Sequence, residues 1–384
     1  MWRTLSCLII RGGSSKGVFV PVEELPPPGK ERDQIILSLY GSPDLRQIDG
    51  LGGADKLTSK VAVMGAPTRK DCVIDYLFGQ VNIALPRIDW TSNCGNISAG
   101  AAVYAAYRGL GDPVKGGVRI AIHQVNTGRR LMATVPMEDG LPAVHGDFAI
   151  GGVPGTGARI DLDFADFEAC ILGKGVLPTG RAVDRFDIPG LGKIDVSIVD
   201  AANLHFFVRA EDVGMDDVRD IVSLQNDPEV VSRMETIRGT VAREIGFITG
   251  PNAAEELLVR VNPFLFIVGP PRDYTALGGK KIAAGAHDLF TRSITRAAFS
   301  KAYPASGSVG TTVACGVPGT IPFVAAANGP RQPGRPYKVR LGHPGGTMEV
   351  DAEMAVNKAG QLSVRSVVVG RTGRVLMEGK AFIK

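Results

Sequence analysis

A cysteine followed by glycine and asparagine, in Thr91-Ser92-Asn93-Cys94-Gly95-Asn96, stands just ahead of an alanine-rich stretch that reads as a helix from Ser98 to Arg108 and stops at Gly109. A helix N-terminus carries partial positive charge and unpaired N–H groups, which favour a thiolate and can hold a carboxylate. Cys94 is therefore a candidate acid or base, or the marker of an anion site; the alternative is a small buried residue in a turn. Gly95 and Asn96 favour the first reading, because a backbone brought close to a ligand calls for glycine and a short amide. Lys60 follows the glycine-rich loop that runs from Asp49 to Ser59 and opens the apolar stretch Val61-Ala62-Val63. A lysine at the mouth of a buried strand is desolvated, which moves its pKa down from about 10.4 and makes it a usable base. The alternative is a solvated loop lysine, a description that suits Lys56. Thr58 and Ser59 add hydroxyl and N–H groups suited to a carboxylate.

Other polar segments carry weaker signals. Arg11-Gly12-Gly13-Ser14-Ser15-Lys16-Gly17 lacks the four-residue gap of a Walker loop, and reads instead as an anion-binding hairpin. Gly342-His343-Pro344-Gly345-Gly346-Thr347 reads equally as an anion nest or as a plain hairpin turn. His123 and His145 have no cysteine or carboxylate at catalytic spacing and read as ordinary surface or core residues. Cys7, Cys72, Cys94, Cys170 and Cys315 show no metal-ligand spacing, so no metal site is expected, and reduced thiols in a cytoplasmic protein are.

These residues need a scaffold, and 384 residues exceed the roughly 250–300 at which one core stops growing, so two domains are expected. With 44% hydrophobic and 21% charged residues the chain can bury sizeable cores, which excludes wholesale disorder. The 49 glycines and 25 prolines imply many turns and short connections. A net charge of +4 without a run of five like charges speaks against a nucleic-acid partner and suits a small anionic substrate. Met1–Ile10 is too short an apolar stretch for a signal peptide, and no run reaches about 18 apolar residues, so no membrane segment is expected.

Strand-like segments recur at Ser6–Ile10, Val18–Val22, Val61–Met64, Val73–Ala84, Val118–Gln124, Leu131–Val135, Ile194–Val199, Phe206–Arg209, Leu257–Val261, Phe264–Val268, Tyr337–Leu341, Thr347–Ala352 and Leu362–Val369. Helical spacing is confined to Arg32–Tyr40, Ser98–Arg108, Asp216–Ser223, Pro228–Ile245 and a run beginning near Ser306. The fold class is α+β, with long sheets around a few helices. A faint repeat accompanies it. Gly17-Val18-Phe19-Val20 is echoed by His205-Phe206-Phe207-Val208, and Asn93-Cys94-Gly95-Asn96 by Ala305-Ser306-Gly307-Ser308, offsets of 205 − 17 = 188 and 306 − 94 = 212. Two pseudo-symmetric halves, 1–184 and 185–384, follow, with a long sheet edge that suits a homodimer.

Taken in order, Arg11–Phe19, Gly41-Ser42-Pro43, Asp49–Val61, Asn93–Gly100, Asn126-Thr127-Gly128, Gly146–Ile160, Leu177-Pro178-Thr179-Gly180, Lys301–Gly307, Pro318-Gly319-Thr320 and Gly342-His343-Pro344 resemble the PrpF family of allylic isomerases, relatives of diaminopimelate epimerase that share its paired-barrel fold. The resemblance implies two halves, each a curved sheet around a central helix, with the site in the cleft between them and no cofactor. It implies a 1,3 proton transfer that moves a carbon–carbon double bond along an unsaturated di- or tricarboxylate, of the kind represented by 2-methylaconitate, methylitaconate, aconitate and 4-oxalomesaconate. Lys60 and Cys94 match the family's catalytic pair. Ser14, Ser15, Thr58, Ser59, Asn93, Gly95 and Asn96, with Ser306 and Gly307 from the second half, are then the expected substrate contacts.

Departures from the family pattern bear on the activity. Epimerases of this fold use a facing cysteine pair, whereas Ser306 is expected opposite Cys94, which argues against two-cysteine racemisation. Cys315 falls further along, in the core. Ser14 replaces a threonine, and Ser300 a histidine, so a carboxylate or oxo-group contact is lost there. The same proton transfer serves a double-bond shift or a cis–trans isomerisation, and the competing activities are a keto–enol tautomerase of 4-oxalomesaconate, an amino-acid epimerase or racemase, and an accessory protein of an aconitase-like dehydratase.

Overall fold

The computed structural model describes residues 3–215, 219–327, 331–357 and 360–384. The chain divides into two compact units, Met1–Asp163 with Gly370–Lys384 and Phe164–Val369. The division is not the expected 184/185 split into sequential halves. The C-terminal strand Gly373–Ile383 runs antiparallel along β1 (Arg3–Gly12), from Arg3↔Ile383 to Gly12↔Gly373, and this pairing places the last residues of the chain in the first unit.

In the first unit, β1 and β2 (Ser15–Pro21) form a hairpin in which Gly12 faces Ser15. After α1 (Lys30–Tyr40), β3 (Lys60–Gly65) pairs in parallel with β2, Gly17 facing Lys60. β4 (Ile74–Val81) then runs antiparallel to β3, Lys60 facing Gln80. The sheet wraps α2 (Gly95–Tyr107), in which every residue from Gly95 to Ala106 is buried. Small side chains on all faces, among them Ala99, Ala101, Ala102, Ala105 and Ala106, suit a helix enclosed by sheet. On the other face of β1–β3, Ile35, Ile36, Leu39 and Tyr40 of α1 pack against Leu5, Val18, Val20, Val61 and Val63. Each of these large apolar side chains contributes roughly 1.5–3 kcal/mol by leaving water.

The second unit repeats the order. A hairpin of Gly192–Ala201 and Asn203–Arg209 leads to Phe264–Gly269, parallel to the latter with His205 facing Phe264, and then to antiparallel Leu289–Thr295. The two strands of the hairpin, with Tyr337–His343 and Gly346–Val356, pack on α3 (Ala305–Cys315), all of whose residues are buried. Gly17 and His205 therefore occupy equivalent places, as the first echo requires. The helix starts shift the second echo. The caps are Cys94 and Pro304, an offset of 304 − 94 = 210, so Ser306 is equivalent to Asn96 and not to Cys94.

Several local expectations change. The helix after Cys94 starts at Gly95, three residues earlier than Ser98, because Cys94 itself is the cap. Leu257–Val261 is not a strand. The chain is helical over Ala253–Val259, with Glu255 and Glu256 in the first turn, an ion pair from Arg260 to Glu256 at 3.1 Å, and Leu257 facing the core. Of the helix expected at Asp216–Ser223, residues 216–218 lie outside the described residues, and the helix observed is Ile221–Gln225, capped by the Asp220 carboxylate. Among the described residues, no helix is long and apolar enough to cross a membrane.

Candidate active site

Lys60 opens β3 and is buried, and its surroundings hold it at both ends. Nζ donates to Gln80 Oε1 at 2.7 Å and lies 5.2 Å from the centre of the Phe78 ring. The Gln80 amide nitrogen donates to the carbonyls of Ser59 (2.8 Å) and Lys56 (3.2 Å), which turns its oxygen toward the lysine. At the main chain, the Tyr40 hydroxyl donates to the Lys60 carbonyl and accepts from Val18 N at 3.0 Å. Burial pushes the Tyr40 phenol well up from its usual range, so it stays protonated as that donor.

Cys94 is half-buried and caps α2 in an extended conformation, and its own side chain makes no hydrogen bond to the first-turn N–H groups. Helix N-termini of this kind bind anions. Ser98 fixes the Cys94 carbonyl with its backbone N (2.8 Å) and its hydroxyl (3.0 Å). The preceding segment is tied to β4 by Asn126, whose amide nitrogen donates to Trp90 O (2.6 Å) and Phe78 O (2.8 Å) and whose oxygen accepts from Phe78 N (2.8 Å). The two catalytic candidates thus hang on adjoining supports. A side chain at Gly17 would run into the Lys60 carbonyl at 2.5 Å and Ile97 of the first turn of α2 at 3.2 Å.

Asn93, immediately before Cys94, is buried with both amide atoms lacking a hydrogen-bond partner among the described residues. Leaving such a group unsatisfied is costly, so it points to a polar ligand. Asn96 reaches the β1–β2 turn, its nitrogen 3.1 Å from Ser14 Oγ and 3.4 Å from Ser15 Oγ. The turn needs Gly13, which sits at φ +52° where a Cβ would lie 2.2 Å from Asn96 Oδ1. Arg371 closes the group. Its guanidinium is buried, donates through Nε to Asn96 Oδ1 at 3.1 Å, and lies near enough to Cys94 to interact with a charge on its sulfur. Burial brings the Arg371 pKa down to about 10. Among the described residues no carboxylate pairs with it.

Lys60, Ser14, Ser15, Asn93, Cys94, Gly95 and Asn96 all lie in the first unit on these connected elements. Two other candidates serve the loop. The Ser59 hydroxyl is engaged by Gln47 Oε1 at 2.7 Å, and Thr58 Oγ1 donates to the Asp55 carbonyl at 3.2 Å. In the second unit the Ser306 hydroxyl accepts from Asn203 Nδ2 at 2.7 Å, and Gly307 packs on Phe266. The serine–asparagine pair of the first unit, Ser15 with Asn96, recurs there with the two residue types exchanged. Cys315 ends α3, and burial pushes its thiol up to about 12, in keeping with a core role.

His123 does have a carboxylate partner, Asp75 Oδ1 at 2.9 Å, brought to it by the parallel pairing of Ile74–Val81 with Gly117–Gln124 rather than by sequence spacing. The Gly342–Thr347 segment is a hairpin turn, in which Gly345 N donates to the His343 ring at 3.1 Å. Among the described residues no group of three His, Cys, Asp or Glu is placed to hold a metal ion. Gln80, Asn126, Tyr40 and Arg371 were not apparent as site residues from sequence. Only Asn126 carried a signal, in its Asn-Thr-Gly run.

A buried helix wrapped by sheet, repeated twice in one chain, defines the epimerase-like class of fold. It is shared with a hydroxyproline epimerase from Agrobacterium vitis, at a TM-score of 0.58 and 10% identity over 99% of this chain and 93% of that one. The family model described as PrpF protein matches residues 2–384, and the chain belongs to that family. A 3-methylitaconate isomerase of Eubacterium barkeri is 38% identical over 99% of this chain and 97% of its own. A 2-methyl-aconitate isomerase of Shewanella oneidensis is 35% identical over 96% of this chain and 94% of its own. A solved methylitaconate-delta-isomerase superposes with a TM-score of 0.80 at 36% identity, covering 100% of this chain and 96% of that one.

Proposed function

We propose that the protein is a cofactor-independent isomerase that shifts a double bond by 1,3-allylic proton transfer on an unsaturated di- or tricarboxylate, of the class exemplified by 2-methylaconitate, aconitate and 4-oxalomesaconate. The observation that carries this reading is the buried Lys60 amine held by Gln80 in the same unit as the uncapped helix end at Cys94 and the unpartnered Asn93 amide. The names of the relatives, isomerases of methylitaconate and methylaconitate, support the reaction class. In the forward step the unprotonated Lys60 amine takes a proton from the carbon next to the conjugated system. The freed electron pair moves into a dienolate, and the Cys94 thiol delivers a proton to the far end of the allyl unit. One C–H bond breaks, another forms, and the proton balance closes when lysine and cysteine exchange protons with solvent. Asn93 and the N–H groups at Gly95 and Asn96 stabilise the developing negative charge, and Ser14 and Ser15 hold a carboxylate.

Thr58 and Ser59 act in this reading by shaping the loop that presents Lys60. Ser306 and Gly307 of the second unit enter it as substrate contacts through the family resemblance, and Ser306→Ala tests that part separately by its effect on KM. The reading places the enzyme in the cytoplasm, supported by its five free thiols. Chromatographic assay of purified protein against cis- and trans-aconitate, 2-methylaconitate, methylitaconate and 4-oxalomesaconate tests the proposal. Conversion of at least one acid is expected, with a loss on the order of 10²–10⁴-fold in Lys60→Ala, the range for removal of a general base. A folded Lys60→Ala variant that turns over at the wild-type rate would overturn it.

A further inference from the structure

Arg371 lies 275 residues beyond Asn96, at the end of the strand Leu362–Arg371, which Thr372 alone separates from the C-terminal strand Gly373–Ile383. It is buried without a carboxylate partner among the described residues, in a place where an apolar residue would avoid the desolvation of a guanidinium. Its effect on its neighbours follows from hydrogen-bond direction. A guanidinium only donates, so the Asn96 atom facing Arg371 Nε at 3.1 Å must be the amide oxygen. The amide nitrogen is thereby turned toward Ser14 Oγ at 3.1 Å and Ser15 Oγ at 3.4 Å. An amide NH₂ also only donates, so both hydroxyls are required to accept. Their own O–H groups remain, and among the described residues neither finds a protein acceptor, although Ser15 is 2% exposed. Two hydroxyl protons beside a buried cation suit an anionic acceptor best, such as a carboxylate of the substrate.

Resting on the isomerase reading of the site, we propose that Arg371 is a positioning residue that sets substrate specificity. By locking the Asn96 amide it converts Ser14 and Ser15 into a pair of donors that selects a carboxylate over a neutral amide or ester at that position. The guanidinium acts through Asn96. Without it the amide is free to turn over, present its oxygen to the serines and draw their protons away from the ligand. Asn96→Asp imposes that second state while keeping the bond to Arg371, since a carboxylate accepts from the arginine and from both serines.

Binding of tricarballylate, a saturated tricarboxylate with no double bond to move, separates this inference from the isomerase reading. Calorimetric titration is to be run on wild type, Arg371→Met, Asn96→Asp, Ser14→Ala/Ser15→Ala and the triple variant that combines Arg371→Met with both serine changes. Measured binding to the wild type is expected to weaken at least 10-fold in Arg371→Met and in Asn96→Asp. In the background lacking both hydroxyls, Arg371→Met is expected to weaken it less than 3-fold, because its route has been removed. Where turnover is found, Arg371→Met should raise KM at least 10-fold, and Arg371→Lys should restore less than half of the lost affinity, because an ammonium lacks the planar fork. Arg371→Met with wild-type affinity, or equal losses with and without the serine hydroxyls, would overturn the inference, as would a wild type that does not bind tricarballylate. Binding with this pattern in a protein that isomerises none of the acids would leave the inference standing and sink the isomerase reading.

Discussion

His205 supplies a stability switch whose size can be worked from the structure. It lies on Asn203–Arg209, fully buried among Phe207, Phe264 and Phe266, whose ring centres are 6.0, 5.8 and 5.5 Å away. Gly310 of α3 permits this close packing, since a Cβ there would come within 2.3 Å of the imidazole. Burial lowers the imidazole pKa from its ordinary 6.5 to about 4, with backbone groups of Asn203, Val199 and Ser306 offsetting part of the effect. The unfolded chain protonates this histidine below about 6.5, while the folded chain keeps it neutral until about 4. Between those values the unfolded state binds more protons, so stability is fully present above about 6.5 and falls as the pH is lowered toward 4. At about 1.4 kcal/mol per pKa unit, the loss between pH 7 and pH 5 is about 2 kcal/mol. Urea unfolding of wild type and His205→Phe, followed by circular dichroism at both pH values, reads the difference directly, because the other titrating groups are common to both proteins. Wild type should lose about 2 kcal/mol more than His205→Phe on acidification. Equal losses in the two proteins would refute the assignment of a neutral buried imidazole.

Two further substitutions test the supports of the site. Tyr40→Phe leaves Val18 N and the Lys60 carbonyl without their shared hydroxyl, and should cost about 1–3 kcal/mol in urea unfolding and lower kcat by loosening Lys60. Gly13→Ala puts a Cβ against the Asn96 amide at a positive φ, and should destabilise by more than about 1 kcal/mol and raise KM, as read by unfolding midpoint and steady-state kinetics.

The strands that read correctly from sequence were those in which β-branched runs are bounded by turn residues, such as Val61–Met64 within Lys60–Gly65 and Phe264–Val268 within Phe264–Gly269. The C-terminal strand Gly373–Ile383 was not readable in that way. It alternates between exposed Arg374, Leu376, Glu378, Lys380 and Phe382 and more sheltered residues, but opens on Gly373 and carries Gly379 inside, and it has few β-branched residues. Leu289–Thr295 escaped because Arg292 sits in its middle, and only tertiary burial against Phe290 and Tyr274 makes that arginine a strand residue. Leu257–Val261 misled in the other direction, since a short apolar run serves a helix turn as well as a strand. The same limit applies at the site. Cys94, Asn93 and Asn96 announce themselves as one contiguous motif, and Lys60 as the end of a glycine-rich loop. Gln80 and Arg371 reach the site through strand register and the returning C-terminus, neither of which has a local signature.

The division of labour between Lys60 and Cys94 is the central claim, and proton NMR in D₂O on the acid that the wild type converts tests it most directly. Wild type should incorporate deuterium and form the isomer. Cys94→Ser should still wash deuterium into the carbon that loses its proton while forming little isomer, and Lys60→Ala should show neither exchange nor isomer. Persistent exchange in a folded Lys60→Ala protein would contradict the account.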